Sequence, residues 1–203
     1  RQTAEEAHAV LSRALELEPR QAQIRAMLAD LYVCSHQFSY DLVEQPLEKA
    51  LTLASEVIYA DPACQLAHLA LAGVHALKSD KAKFSEAARR VLEINPLSSS
   101  NVAALAPYYV ILGLLDEAGE LCGKILTRNL PRSGECHIAM SLCHYFRADY
   151  EEALSQARKI ARPGALCDGV LRLCASGMLG DSREAEAAAG ELLEAYPDCK
   201  KQG

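Results

Sequence analysis

Apolar residues recur along this chain every three or four positions, which is the spacing of one buried face on an α-helix. One such face is formed by Ala7, Leu11 and Ala14, and the same spacing returns at Ala50, Ala54 and Val57. The pattern predicts helices over 3–17, 21–34, 46–60, 63–77, 83–93, 101–112, 117–128, 135–146, 150–160, 166–178 and 183–195. We therefore expect an all-α protein.

Prolines divide these helices into pairs. Pro62 and Pro96 are 34 residues apart and each follows the second helix of a pair, as Pro19 and Pro197 do elsewhere. The interval from Pro19 to Pro62 is nine residues longer, and we expect the extra residues to lengthen a connection or add a helical turn. The predicted repeats are 20–62, 63–96, 97–131, 132–163 and 164–197, with a leading helix at 1–19 and a tail at 198–203.

The turns between paired helices carry a family resemblance. Residues 147–154 read Arg-Ala-Asp-Tyr-Glu-Glu-Ala-Leu, which closely resembles the tetratricopeptide turn Gly-Asp-Tyr-x-Glu-Ala-Leu with Ala148 in place of the glycine. The resemblance covers nearly the whole chain and implies a right-handed α-α superhelix, a tetratricopeptide solenoid of antiparallel helix pairs. The chain departs from the family at the nine-residue insertion and at Arg172, where the family prefers leucine.

The ends of the chain suggest a wider context. Because the leading helix lacks its partner, we expect the sequence to be a piece of a longer protein. The array also resembles repeat regions that stand behind bacterial winged-helix or cyclase-like signalling domains.

Composition and charge exclude some functions. The 27 acidic residues outnumber the 21 basic ones, and a net charge of −6 disfavours direct binding to nucleic acid. No apolar run reaches the ~18 residues of a membrane span, and no signal peptide opens the chain. We expect a cytoplasmic location and no membrane partner.

The cysteines and histidines do not form a recognisable catalytic or metal site. None of the eight cysteines has Cys-x-x-Cys spacing, so we expect reduced thiols that pack as small apolar side chains. His68 with His75, and His137 with His144, share helix faces that could hold a metal, but packing against a neighbouring helix explains them better. Packing also explains the stripe of Cys136, Met140 and Cys143. We expect no metal, no cofactor and no enzymatic activity.

The resemblance implies a binding surface, because the first helices of tetratricopeptide pairs line a concave groove. We expect the groove residues to be Leu66, Leu69, Gly73, Ala103, Pro107, Val110, Ile138, Leu142, Tyr145, Val170 and Cys174, preceded by Gln23, Ala26, Asp30 and Val33. The groove is apolar, and it nearly lacks the lysines, arginines and asparagines with which related repeats clamp the C-terminal carboxylate of chaperones.

An apolar groove predicts a non-enzymatic scaffold that binds a helical or extended apolar segment of a protein partner. One alternative is a ligand-sensing regulatory domain of a larger bacterial signalling protein. Self-association into a homodimer, through the exposed terminal helix or the groove, also stays open.

Two local features complete the expectations. Pro107 lacks an N–H group, so the helix over 101–112 should bend or start later than its pattern indicates. Cys167 and Cys174 are seven residues apart and should both face the groove.

Overall fold

The computed structural model describes residues 2–127, 134–160 and 166–197. Within these ranges all regular secondary structure is helical and no strand occurs. The helices are α1 (Gln2–Leu17), α2 (Ala22–Gln37), α3 (Pro46–Ala60), α4 (Gln65–Leu77), α5 (Lys81–Ile94), α6 (Ser99–Ala103), α7 (Ala106–Ile111), α8 (Leu115–Leu126), α9 (Gly134–Phe146), α10 (Tyr150–Ala157), α11 (Leu166–Leu179) and α12 (Ser182–Ala195).

The chain divides into two compact units. Unit 1 is Arg1–Leu112 and holds α1 to α7, and unit 2 is Gly113–Gly203 and holds α8 to α12. The division falls between the two helices of the predicted repeat 97–131. The predicted repeat ends at 131 and 163 and the tail at 198–203 lie outside the described residues.

The core of unit 1 lies between the paired helices α2–α3 and α4–α5 and between the first helices α2 and α4. Phe84 of α5 is completely buried, and its ring meets Tyr109 of α7 edge-on with 4.9 Å between ring centroids. Burying a side chain of this size contributes about 1.5–3 kcal/mol. Small side chains let the helices approach closely at the other contacts, which include Ala26, Ala29, Ala50, Ala54, Ala67, Ala70 and Ala88.

The nine-residue insertion is shared among three elements. Compared with the pair α4–α5, five of the extra residues lie in the loop between α2 and α3, three lengthen α2 and one lengthens α3. The loop folds back on α2, because Ser35 is buried and its hydroxyl accepts a hydrogen bond of 3.3 Å from the backbone N–H of Leu42. Both predicted outcomes, a longer connection and a longer helix, are confirmed.

Pro107 interrupts the sixth predicted helix. The structure has two short helices there, α6 and α7, and Pro107 lies in the first turn of α7, where the N–H that it lacks would have no partner within the helix. At the break, the N–H of Leu105 donates to the carbonyl of Val102, three residues back, over 3.2 Å. The predicted break is confirmed, and it divides the single predicted helix into two.

Four of the five turns between first and second helices contain one left-handed residue each, and the longer α2–α3 loop contains three. The φ angles in the four turns are +59° at Ser79, +71° at Gly113, +61° at Ala148 and +71° at Gly180. Glycine adopts this conformation without strain, whereas the Cβ atom of alanine crowds the following carbonyl oxygen and costs about 1–2 kcal/mol. Ala148 therefore carries strain at the position where the tetratricopeptide motif has glycine.

Unit 2 is built by α9 packing on α8 and α10, and by α11 packing on α10 and α12. Three of its buried side chains are thiols, from Cys122, Cys136 and Cys143. The other buried apolar side chains include those of Leu121, Ile125, Ala153, Leu154, Ile160 and Ala175.

Arg172 replaces the leucine that the family prefers, and α12 compensates its charge. Its guanidinium donates from Nε to Glu184 over 2.9 Å and from Nη1 to Glu191 over 2.7 Å. These hydrogen bonds to carboxylates raise the pKa of Arg172. The departure from the family motif is thus accommodated within the pair α11–α12.

The strain at Ala148 predicts opposite effects for two substitutions. Ala148→Gly should increase the free energy of unfolding by about 0.5–1 kcal/mol, because the left-handed residue loses its Cβ atom. Gly180→Ala is the matched control and should decrease it by a similar amount, since a Cβ atom at Gly180 would meet no other atom within 4 Å and adds strain alone. Urea unfolding followed by circular dichroism measures both. Shifts of the same sign in the two variants would contradict this account of the turns.

Candidate functional site

Four of the eleven predicted groove residues are buried. Leu69 is 4% exposed, Ala103 is 0% exposed, Val110 is 6% exposed, and Gly73 is buried with them. The expectation that these four face a ligand is wrong, because the fold leaves them almost no exposed surface. They stabilise unit 1 through packing.

The other predicted groove residues retain some exposure. In unit 1, Leu66 and Pro107 are half-buried. In unit 2, Val170 is 38% exposed, Cys174 is exposed one turn later on α11, and the half-buried residues are Ile138, Leu142 and Tyr145.

In unit 1, two exposed large apolar residues of the first helices were not predicted as groove residues. Met27 on α2 is 44% exposed and Ile111 on α7 is 50% exposed. The repeat pattern of the sequence assigned other positions to the groove. Which positions remain exposed to solvent depends on how the helices pack. We call the surface formed by α2, α4, α6 and α7 the first-helix face of unit 1.

Gly73 allows Tyr108 to cross this face. A Cβ atom at Gly73 would lie 2.7 Å from Cγ1 of Val33, 3.0 Å from the hydroxyl oxygen of Tyr108 and 3.1 Å from its Cζ. The backbone of α4 is therefore in direct contact with side chains from α2 on one side and α7 on the other. The phenol of Tyr108 reaches from α7 over α4 towards α2.

The hydroxyl of Tyr108 approaches two polar groups of α2. The pKa of Tyr108 is raised by burial, and the thiol of Cys34 and the carboxyl of Asp30 raise it further. Asp30 and Cys34 are one turn apart on the same side of α2. Burial raises the pKa of Cys34 to about 12, and the charge of Asp30 adds to that effect.

Asp30 is the least compensated charge on the face. Within the described part of the chain its carboxyl makes no hydrogen bond and no ion pair, and burial raises its pKa to about 6. By contrast, Arg25 on the same helix forms an ion pair with Glu56 of α3. The centre of the face thus holds one desolvated carboxyl among apolar side chains.

Comparisons with known proteins identify the architecture. No family model and no curated protein matches the sequence. The crystal structure of YrrB, a TPR protein with an unusual peptide-binding site, is similar to this chain with a TM-score of 0.54 and 15% identity, over 93% of both chains. A tetratricopeptide repeat protein from Parabacteroides merdae is similar with a TM-score of 0.68 and 18% identity, over 95% of this chain and 71% of that one. The fold is the tetratricopeptide-repeat fold.

A third structure shares this arrangement of helices. PilW, a widely conserved type IV pilus biogenesis factor, is similar with a TM-score of 0.71 and 17% identity, over 87% of this chain and 78% of that chain. At these identities the likeness shows the tetratricopeptide-repeat fold alone. The predicted all-α fold of antiparallel helix pairs is confirmed.

Three histidines of this chain, His68, His137 and His144, take part in packing or in local hydrogen bonds. His68 is buried, and its Nε2 lies 3.0 Å from the carbonyl oxygen of Pro62, which confirms the packing interpretation for this residue. Nδ1 of His137 lies 2.8 Å from Gln156 Oε1, and Nδ1 of His144 lies 2.9 Å from Asp149 Oδ2. Residues 2–127, 134–160 and 166–197 bring no three potential metal ligands together.

The described cysteines are free thiols, and most are covered. Cys122 and Cys136 lie side by side in unit 2, and their hydrogen bond raises the pKa of Cys122 and lowers that of Cys136. Cys167 and Cys174 are exposed, and Cys199 lies outside the described residues. That all eight are reduced stays a prediction.

None of the helices α1 to α12 combines the length and the apolarity that a bilayer span requires.

The contact at Gly73 predicts a steric effect on unit 1. Gly73→Ala should lower the free energy of unfolding by about 1–3 kcal/mol, because the added methyl group displaces Val33 and Tyr108. Gly119→Ala in α8 is the control, because the new methyl group would have no atom within 4 Å apart from its own helix backbone and chain neighbours. That variant should gain about 0.5–1 kcal/mol from helix propensity. Chemical unfolding distinguishes them, and a Gly73→Ala variant as stable as the parent chain would refute the close contact.

Asp30 predicts a pH-dependent gain in stability on substitution. Its folded pKa of about 6 is above the usual value of an aspartate. The folded state therefore binds the proton more tightly, and stability falls as the pH rises through about 6. Asp30→Asn should raise the free energy of unfolding by about 1–2 kcal/mol near pH 7.5 and leave it unchanged near pH 4.

The control is Asp41→Asn, which removes an exposed charge from the loop between α2 and α3. Asparagine tolerates the left-handed φ of +55° at that position. Unfolding in urea at both pH values measures the two variants. An equal effect of Asp30→Asn at both pH values would show that the carboxyl is not desolvated.

Proposed function

We propose that this chain is a non-enzymatic scaffold that binds a helical or extended apolar segment of a partner protein on its first helices. The supporting observation is the apolar surface that these helices keep outside the core. Met27 and Ile111 provide it in unit 1, and Val170 provides it in unit 2. Exposed apolar side chains that form a contiguous patch are typical of a protein-interaction site.

The fold supports the same conclusion. Tetratricopeptide arrays stack helix pairs so that each repeat presents one helix to the binding surface. The similar protein YrrB is described as having a peptide-binding site. A segment that covers Met27 or Val170 would gain about 25 cal/mol for each Å² of apolar surface removed from water.

The thiols of Cys34 and Cys143 give no support to nucleophilic catalysis. Burial raises the pKa of Cys34 to about 12 and raises that of Cys143 as well. A thiol must lose its proton to act as a nucleophile, so these two groups stay inactive near neutral pH. The scaffold proposal needs no reactive group.

A ligand-sensing role would need a pocket for a small molecule. The cleft of about 560 Å³ in unit 1, lined by residues that include Leu15, Leu28, Tyr32, Lys49 and Glu56, is open to solvent. Small-molecule sites usually enclose most of the ligand surface. This observation does not favour the regulatory alternative, and that alternative stays a prediction from the sequence.

The test is selection of binding peptides with matched surface variants. Peptides of about 16 residues, long enough for several helical turns, are selected from a displayed random library on the immobilised chain. The selected peptides are synthesised and their Kd values measured by fluorescence anisotropy. We expect binding to weaken at least about tenfold in Met27→Glu or in Val170→Glu, because a charge replaces an apolar contact.

Tyr59→Glu is the control for this experiment. Tyr59 is an apolar residue on a second helix, α3, and is 92% exposed, so its substitution also adds an exposed charge. We expect it to bind like the parent chain. Equal loss in all three variants, or loss in Tyr59→Glu alone, would show that the first helices are not the binding surface.

A further inference from the structure

We propose that Asp30 forms an ion pair with one basic side chain, Lys or Arg, of the segment that occupies the first-helix face of unit 1. The inference rests on the proposed function and adds a specificity to it. It makes the preferred partner an apolar segment with one basic residue at a fixed position.

The position of Asp30 places it where a bound segment would lie. On α2, Asp30 stands one turn after the exposed Met27 and one turn before Cys34. The next turn of α2 contacts α4 and α7 at the junction of Val33, Gly73 and Tyr108. The carboxyl is therefore part of the surface that all three helices form, and it does not belong to an isolated helix end.

No described group of the chain neutralises this carboxyl. The titratable groups that act with it are Cys34 on its own helix and Tyr108 on α7, and both stay uncharged near neutral pH because burial raises their pKa. No charge from α1, α3 or α4 affects the pKa of Asp30, and α4 presents Gly73 on this side. Desolvation of the ionised carboxyl is thus a cost that a cation from a ligand would offset.

The chemistry of the surroundings favours a basic side chain over a metal ion. One carboxyl with one phenol offers far fewer oxygen ligands than calcium or magnesium requires. A Lys or Arg side chain can lay its apolar stem on Met27 and the half-buried Leu31 while its charged end reaches Asp30. The net charge of −6 also attracts basic segments at a distance.

The experiment uses the intact chain and the peptides selected on it, synthesised with acetylated N-termini. Some selected peptides should bind the Met27→Glu variant more weakly than the parent chain. We expect Lys or Arg to recur at one position of those peptides. Replacing this residue with norleucine should weaken binding to the parent chain at least about tenfold. The same peptide change should weaken binding to the Asp30→Asn variant less than about twofold. Asp41→Asn is the control, and it should behave like the parent chain.

A pH series gives an independent measurement. Affinity of the parent chain for the basic peptide should fall about tenfold from pH 7.5 to pH 5.0, because protonation of Asp30 removes the ion pair. In Asp30→Asn the affinity should not change over this range. The norleucine peptide serves as the second control, since its binding should not weaken at the lower pH.

The outcomes separate this inference from the proposed function. If apolar peptides bind the face without a recurring basic residue, or if norleucine weakens both proteins equally, the ion pair is refuted and the scaffold proposal stands. If acetylation abolishes binding, the ligand group is a chain N-terminus and the side-chain proposal is overturned. If no peptide binds the chain at all, both proposals are overturned.

Discussion

The close contact at Gly73 is the constraint on which unit 1 depends. Here the side chains of Val33 from α2 and Tyr108 from α7 pack directly on the backbone of α4, because Gly73 has no side chain of its own. Leu69 of α4 and Ala103 of α6 are buried as well. The contact at Gly73 also brings the hydroxyl of Tyr108 over α4 towards α2. The missing side chain at Gly73 therefore determines both the packing of these helices and the position of the Tyr108 hydroxyl on the surface.

The two units treat a half-buried charge in different ways. In unit 2, Arg172 is surrounded by carboxylates of α12, and Glu184 and Glu191 neutralise it within one helix pair. In unit 1, Asp30 has no such partner within the described part of the chain. A charge that is compensated internally stabilises the fold, whereas one left uncompensated in apolar surroundings is suited to bind an opposite charge. For this reason we place the proposed ion pair on α2 and not on α11.

The sequence predicted the local structure well because helices and their ends depend on neighbouring residues. The three- and four-residue periodicity placed the helices, and prolines marked their ends. The break at Pro107 followed from the missing N–H group. The motif at Ala148 identified the turn, and the left-handed φ there explains why glycine is the usual residue.

The surface could not be predicted in the same way, since burial on a first helix is decided by contacts between repeats. Leu69 and Val110 were predicted to line the groove, yet both are buried. Met27 is 44% exposed, because no described residue of unit 1 buries it. The environment of Asp30 joins α2 to α7, about 80 residues later in the chain, and no periodic pattern reports such a contact.

Hydrogen exchange of the intact chain, with and without a saturating selected peptide, tests the central claim most directly. The account predicts that added protection concentrates on the first helices, α2, α4 and α7 in unit 1 or α9 and α11 in unit 2. The second helices α3, α5, α10 and α12 should exchange at the same rate in both states. Protection confined to those second helices would contradict the claim that the first helices form the binding surface.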